Sequence, residues 1–165
     1  MGIISVKLDK LDHNILNLMQ ENGRITNSDL AKKIDISPSS TLERVKKLER
    51  NGYIKKYVAL VNPEKIGLTC FTYVEVTLVR HGREAVDRFK DSITQMEEVM
   101  ECHHITGEAD FLLKVATRDI PTYEDFILHK LTTLPDVQHL KTLVVLSTMK
   151  QETKLPINLE SQEGA

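Results

Sequence analysis

The sequence predicts an α+β chain in two parts, three short helices followed by a βαββαβ sheet domain. Three observations carry this. Residues 8–52 repeat apolar positions at helical spacing between capping residues, and from Cys70 onward strand-like alternation is interrupted by two further helical stripes. Charge divides where the pattern changes. Residues 1–62 hold eight lysines and three arginines against four aspartates and three glutamates, a net of +4; the remainder holds eleven cations against seventeen acids, a net of −6. A cationic segment joined to an anionic one suits a nucleic-acid module attached to something of another kind.

The first helix is expected from Leu8 to Asn22, with Asp9 as its cap and Asp12 in the favourable field of the helix start. Leu11, Ile15, Leu18 and Met19 form its buried stripe, and Gly23 ends it. Asn27 is placed to cap a second helix carrying Leu30, Ala31 and Ile34. Asp35 falls at a break where a left-handed residue is needed, a conformation Asp tolerates. Ser37 then caps a third helix with Pro38 at its first position. Along it Leu42, Val45 and Leu48 read as the apolar seam, with Ser40, Thr41, Arg44 and Lys47 facing away. A helix-turn-helix sets such an outward face into the major groove of DNA. The candidate DNA-contacting residues are therefore Asn27, Ser37, Ser39, Ser40, Thr41, Arg44 and Lys47. Arg44 could grip a guanine with two hydrogen bonds, and Lys47 would neutralise phosphate. From these residues alone, an ordinary helical hairpin with a solvated charged face stays open.

After Gly52, Tyr53, Ile54, Tyr57, Val58, Leu60 and Val61 are strand formers, expected to build a two-stranded wing with Lys55 and Lys56 at its tip. The head so defined spans residues 8–62, and 63–69 is the expected linker to a second domain over 70–150. There Thr72, Val74, Val76 and Leu78 alternate with Phe71, Tyr73, Glu75 and Thr77 as a strand. A helix is expected from Arg83 to about Glu98, then strands over Val99–Thr106 and Asp110–Thr117. Thr122 is placed to cap a second helix, Pro135 to end it, and Val137–Met149 reads as a long last strand. This order yields a four-stranded antiparallel sheet with two helices on one face, the ferredoxin-like design. The other face has nothing within the chain to cover it, so a second copy is expected there and the protein should be at least a homodimer. Residues 151–165 read as a partly ordered polar tail.

Several functions are excluded at this level. No apolar run is long enough to cross a membrane, and the start MGIISVKLDK lacks the features of a signal peptide, so a cytoplasmic protein is expected. Cys70 and Cys102 read as isolated buried thiols. Cys102-His103-His104 is too small a set to predict a metal, since adjacent strand residues point to opposite faces. No nucleophile–histidine–acid set or phosphate-cradling loop is present, so neither catalysis nor a cofactor is expected. The turn between the middle strands is more informative. Gly107 lets a carboxylate approach its backbone N–H, and Glu108 or Asp110 could face an ammonium, a combination that suits a zwitterion such as an amino acid. From these residues alone, a plain hairpin turn with two solvated acids is the favoured reading.

Three stretches together resemble one family. Leu8-Asp9-Lys10-Leu11-Asp12-His13-Asn14-Ile15-Leu16 is similar to the opening of the Lrp/AsnC (feast/famine) transcriptional regulators. The span from Ile36 to Gly52 resembles their recognition helix, and that from Glu101 to Lys114 their effector-domain hairpin. The resemblance runs in order from about Leu8 to Leu155. It implies a winged helix-turn-helix head and a ferredoxin-like (RAM/ACT-like) domain that binds amino acids and drives assembly into dimers and octamers. The family's G-x-x-D turn falls on Gly107 and Asp110, which makes Thr106, Gly107, Glu108 and Asp110 the implied effector residues. Ser147 and Thr148, from a neighbouring subunit, would complete the pocket. The sequence departs from the family at Asp35, where glycine is usual, and at Thr41, where a relative often has cysteine.

Overall fold

The structure is a computed structural model that describes residues 8–79 and 82–157. The described chain divides into two compact units, one of residues 8–60 with 150–157, the other within Val61–Met149.

In the first unit, α1 spans Lys10–Glu21. Asp9 caps it by accepting the Asp12 N–H at 2.8 Å, and the Asp12 carboxylate accepts the Asp9 N–H at 3.4 Å, a reciprocal capping box. α2 spans Asn27–Ile34, but its cap is Thr26, whose hydroxyl accepts the Asp29 N–H. Thr26 is the last residue with extended backbone, and the cap must be that residue, so Asn27 is displaced into the first turn. Asp35 takes the left-handed conformation expected of it, at φ 56° and ψ 48°. Ser37 caps α3, Pro38–Arg50, by accepting the Ser40 N–H at 3.2 Å. Ile15, Leu16, Leu30, Ile34 and Leu48 make the small core between the three helices.

One expectation for this region is corrected. Residues 53–62 form no strand, so the single chain builds no two-stranded wing. YIKKYVALVN holds no glycine or Asn-Gly step to reverse the chain, and an extended run without a return has nothing to pair with. Tyr57 anchors the start of this run by donating to Glu49 on α3 at 2.8 Å, while Val58, Leu60 and Val61 stay exposed. The described part of the tail is tied to the helical unit. Leu155 exchanges two hydrogen bonds with the Gln20 side chain, at 2.7 and 3.2 Å, Lys154 pairs with Glu21, and Ile157 packs on the helical core. Residues 158–165 lie outside the described residues.

The second unit is the expected sandwich of helices on a sheet. β1 (Cys70–Leu78), β2 (Val99–His104), β3 (Phe111–Thr117) and β4 (Val137–Val144) form one antiparallel sheet in the order β2-β3-β1-β4. α4 (Arg83–Ile93) and α5 (Ile120–Phe126, prolonged by a wider π-type turn over Ile127–Leu131) cover one face. Val74, Val76, Leu78, Leu113 and Val115 meet Phe89, Ile93, Phe126 and Leu131 there, and the rings of Phe89 and Phe111 lie 4.6 Å apart.

Several boundaries differ from expectation: β2 ends at His104 rather than Thr106, and β3 begins at Phe111 rather than Asp110. α4 stops at Ile93, because the Thr94 hydroxyl turns back to bond Asp91 O at 2.9 Å and the chain then bends into β2. Asp119 rather than Thr122 caps α5, its carboxylate accepting both the N–H and the hydroxyl of Thr122. β4 ends at Val144, and its pairing with β1 closes with the Val145 N–H to Phe71 O bond. Cys70 is buried as expected; Cys102 is exposed, on the edge strand β2.

The opposite sheet face carries Phe71, Tyr73, Glu75, Leu112, Lys114, Glu101, Lys141 and Leu143, which share that face by register. Its charges are paired across strands, Lys114 with Glu101 at 2.9 Å and Lys141 with Glu75 at 3.2 Å. Among the described residues no helix is long and apolar enough to cross a membrane, and no three His, Cys, Asp or Glu side chains are grouped to hold a metal ion.

Candidate functional site

The surface of α3 is set by which of its residues the core takes. Thr41, Arg44, Val45 and Leu48 face inward, an i, i+3, i+4, i+7 stripe. Relative to the sequence reading, the inward face is rotated by one residue at its N-terminal end. Thr41 is 0% exposed and its hydroxyl bonds Ser37 O at 3.0 Å, whereas Leu42 is 41% exposed. The choice follows from packing: a small hydroxyl that returns its hydrogen bond to the preceding turn fits against α1 and α2, and needs no outside partner.

Arg44 is also withdrawn from the outward face. One guanidinium nitrogen, Nη1, donates to Asp9 Oδ2 and to Asp12 Oδ1, both at 2.7 Å. Asp12 is 1% exposed, so the arginine compensates a buried carboxylate. Burial opposes the charge on Asp9, but the Asp12 N–H and the Arg44 guanidinium outweigh it and hold its carboxyl below the usual range. Hydrogen bonds to Asp9 and Asp12 in turn raise the pKa of Arg44. The outward placement expected of both is thereby corrected: Thr41 is buried, and Arg44 ties α3 to the capping box of α1.

Asn27 is turned toward the start of α3, donating to Pro38 O at 2.7 Å, so it braces the two helices. Ser37 is engaged as a cap, and its hydroxyl lies 3.1 Å from that of Ser39. Ser39 and Ser40 are exposed, and Lys47 is half-buried. The outward arc is completed by Glu43, Lys46 and Arg50, all exposed, which the sequence reading missed. Extending the stripe from the buried Leu48 back through Thr41, seven residues earlier, would have found them. Glu43 and Lys46 lie 3.9 Å apart, a solvent-exposed pair.

In the sheet domain the turn between β2 and β3 presents Thr106, Gly107 and Glu108 to solvent. Gly107 has φ 127°, a conformation other residues rarely adopt, and nothing lies within 4 Å of where a Cβ would stand. Asp110 is half-buried, and one of its carboxylate oxygens accepts the Leu78 N–H at 2.8 Å. Its backbone N–H donates to Val76 O and its carbonyl accepts from Ile105, both at 2.9 Å. Asp110 thus locks the turn to the end of β1. Ser147 and Thr148 are exposed and lie past the end of β4, not on it.

Residues 8–55 match the family model for a winged helix-turn-helix DNA-binding domain, and residues 72–155 match that of the Lrp/AsnC ligand binding domain. The chain is 39% identical over 150 residues to the leucine-responsive regulatory proteins of Klebsiella pneumoniae and Escherichia coli, covering 91% of this chain and 92% of each relative. Among solved structures, a transcriptional regulator of Neisseria meningitidis in complex with L-Met is similar at TM-score 0.89 and 37% identity, over 92% of this chain and 98% of that one. AsnC of E. coli superposes at TM-score 0.82 with 27% identity, over 91% and 99% of the two chains. With a helix-turn-helix head and a ligand-binding sheet domain in that order, the chain belongs to the Lrp/AsnC family of DNA-binding transcriptional regulators.

Proposed function

We propose that the chain regulates genes of amino-acid metabolism by sequence-specific DNA binding that responds to a small amino acid. The observation that carries the DNA half is the outward arc of α3: Ser39, Ser40, Glu43, Lys46 and Arg50 lie exposed on a helix locked by the Arg44–Asp9–Asp12 cluster. Ser39 and Ser40 approach bases or phosphates; Lys46, Lys47 and Arg50 neutralise phosphate. A gel-shift titration against promoter fragments at several salt concentrations tests this. Affinity should fall steeply with salt, and Lys46→Ala should reduce the slope of log K against log[salt] by about 1. Salt-insensitive binding refutes it.

The effector half rests on the 106–110 turn. The bare Gly107 backbone offers an N–H to a ligand carboxylate, Glu108 and Asp110 offer acceptors to its ammonium, and Thr106 flanks them. Standing open in one chain, the turn needs walls, which Ser147 and Thr148 of a neighbouring copy supply. The assembly is a homo-oligomer in the cytoplasm, a dimer through the open sheet face with the octamer as the larger form. Phe71, Tyr73, Leu112 and Leu143 give that face apolar area, and the exposed run from Val58 to Val61 offers unpaired backbone to a second chain. The effector acts by binding one assembly state more tightly than another, since equal affinity shifts nothing. A thermal-shift screen of the twenty amino acids, with L-leucine and L-methionine first, tests it; no shift with any of them removes the amino-acid reading.

A further inference from the structure

We propose that Leu42 is a specificity-determining residue, contacting the C5-methyl group of a thymine in the major groove. This rests on the DNA-binding reading above and assigns the apolar part of its base recognition. Leu42 lies in the second turn of α3, five residues past the Ser37 cap, within the part of a recognition helix that reaches base edges. It is 41% exposed, whereas Leu48 on the same helix is 1% exposed. It lies outside both buried core clusters.

Its neighbours on the exposed side of α3 are Ser39, Glu43 and Lys46, all polar, and Leu42 is the one large apolar side chain that the helix exposes. Ser39 and Leu42 are three residues apart and so about 4.5 Å along the axis, well inside the ~12 Å width of the major groove. The groove offers one apolar feature, the thymine methyl, and apolar side chains read it. Charge favours the same occupant: the head carries its net of +4, and Lys46 and Arg50 lie on the same exposed side. Arg44, the residue type that most often reads guanine, is bound to Asp9 and Asp12. Recognition on this helix therefore leans on the methyl group.

The test uses the full-length protein and a duplex it selects from a randomised library. Each thymine of that duplex is replaced in turn by deoxyuridine, which removes the methyl and keeps every hydrogen bond. Wild type should lose about fourfold in affinity at one thymine per half-site, the scale of one methyl group buried. Leu42→Ala should bind the thymine and deoxyuridine duplexes equally, with unchanged circular dichroism. If wild type discriminates at no thymine, or Leu42→Ala keeps the full discrimination, the assignment is overturned while DNA binding stands. A change in oligomer mass on Leu42→Ala with thymine sensitivity intact also overturns it, placing Leu42 against a second copy. Failure to select any duplex removes the DNA-binding reading itself.

Discussion

Replacing Arg44 by alanine separates an anchoring role from base reading. The variant removes the guanidinium donor of Asp12, which is 1% exposed and among the described residues keeps only the 3.4 Å bond from the Asp9 N–H. Removing one partner of a buried ion pair costs about 3–5 kcal/mol. Arg44 itself keeps 27% of its side chain exposed and water can enter after truncation, so we take the low end, about 3 kcal/mol. The bond to Asp9, half exposed, adds little. The chain has no tryptophan, so hydrogen exchange of the α1 and α3 amides is the suitable assay. A loss of 3 kcal/mol should speed their exchange by roughly a hundredfold. Asp12→Asn should recover part of it in the double variant, because the amide leaves no buried charge unpaired. Unchanged exchange together with a relaxed base preference would refute the reasoning and return Arg44 to the groove.

Four further outcomes follow from the geometry. Asp9 has a folded pKa below its ordinary value, so its contribution to stability is present above about pH 4 and is lost as pH falls through the folded value. Thermal unfolding at descending pH should show Asp9→Asn abolishing part of that acid loss. Asp110→Ala should cost about 1 kcal/mol by removing the acceptor of the Leu78 N–H, besides weakening any amino-acid response; Asp110→Asn should restore stability but not the response, read by denaturant unfolding and calorimetry with L-methionine. Asp35→Gly should stabilise the head by up to about 1 kcal/mol, since glycine takes the left-handed conformation without strain, as measured by exchange of the α2 and α3 amides. Truncation after Lys150 removes the hydrogen bonds to Gln20 and the Ile157 contact, and should raise exchange selectively in α1.

What the sequence determined by itself is the fold class and the order of its elements. Caps at Asp9 and Ser37, the left-handed break at Asp35 and the period-two strand at Cys70–Leu78 are local, each set by its own few residues, and all stand in the structure. So does the place of the Gly107 turn. Tertiary structure decided which side of α3 faces out. Thr41–Arg44–Val45–Leu48 and Leu42–Val45–Leu48 are both plausible stripes at helical spacing, and choosing between them needs the buried Asp12 that Arg44 neutralises from another helix. Likewise the pairing of β4 with β1 and the docking of Leu155 on Gln20, 135 residues away, depend on partners that no local window contains. Short-range sterics and hydrogen bonds are written along the chain, whereas the compensation of a buried charge depends on whichever residue the fold brings beside it.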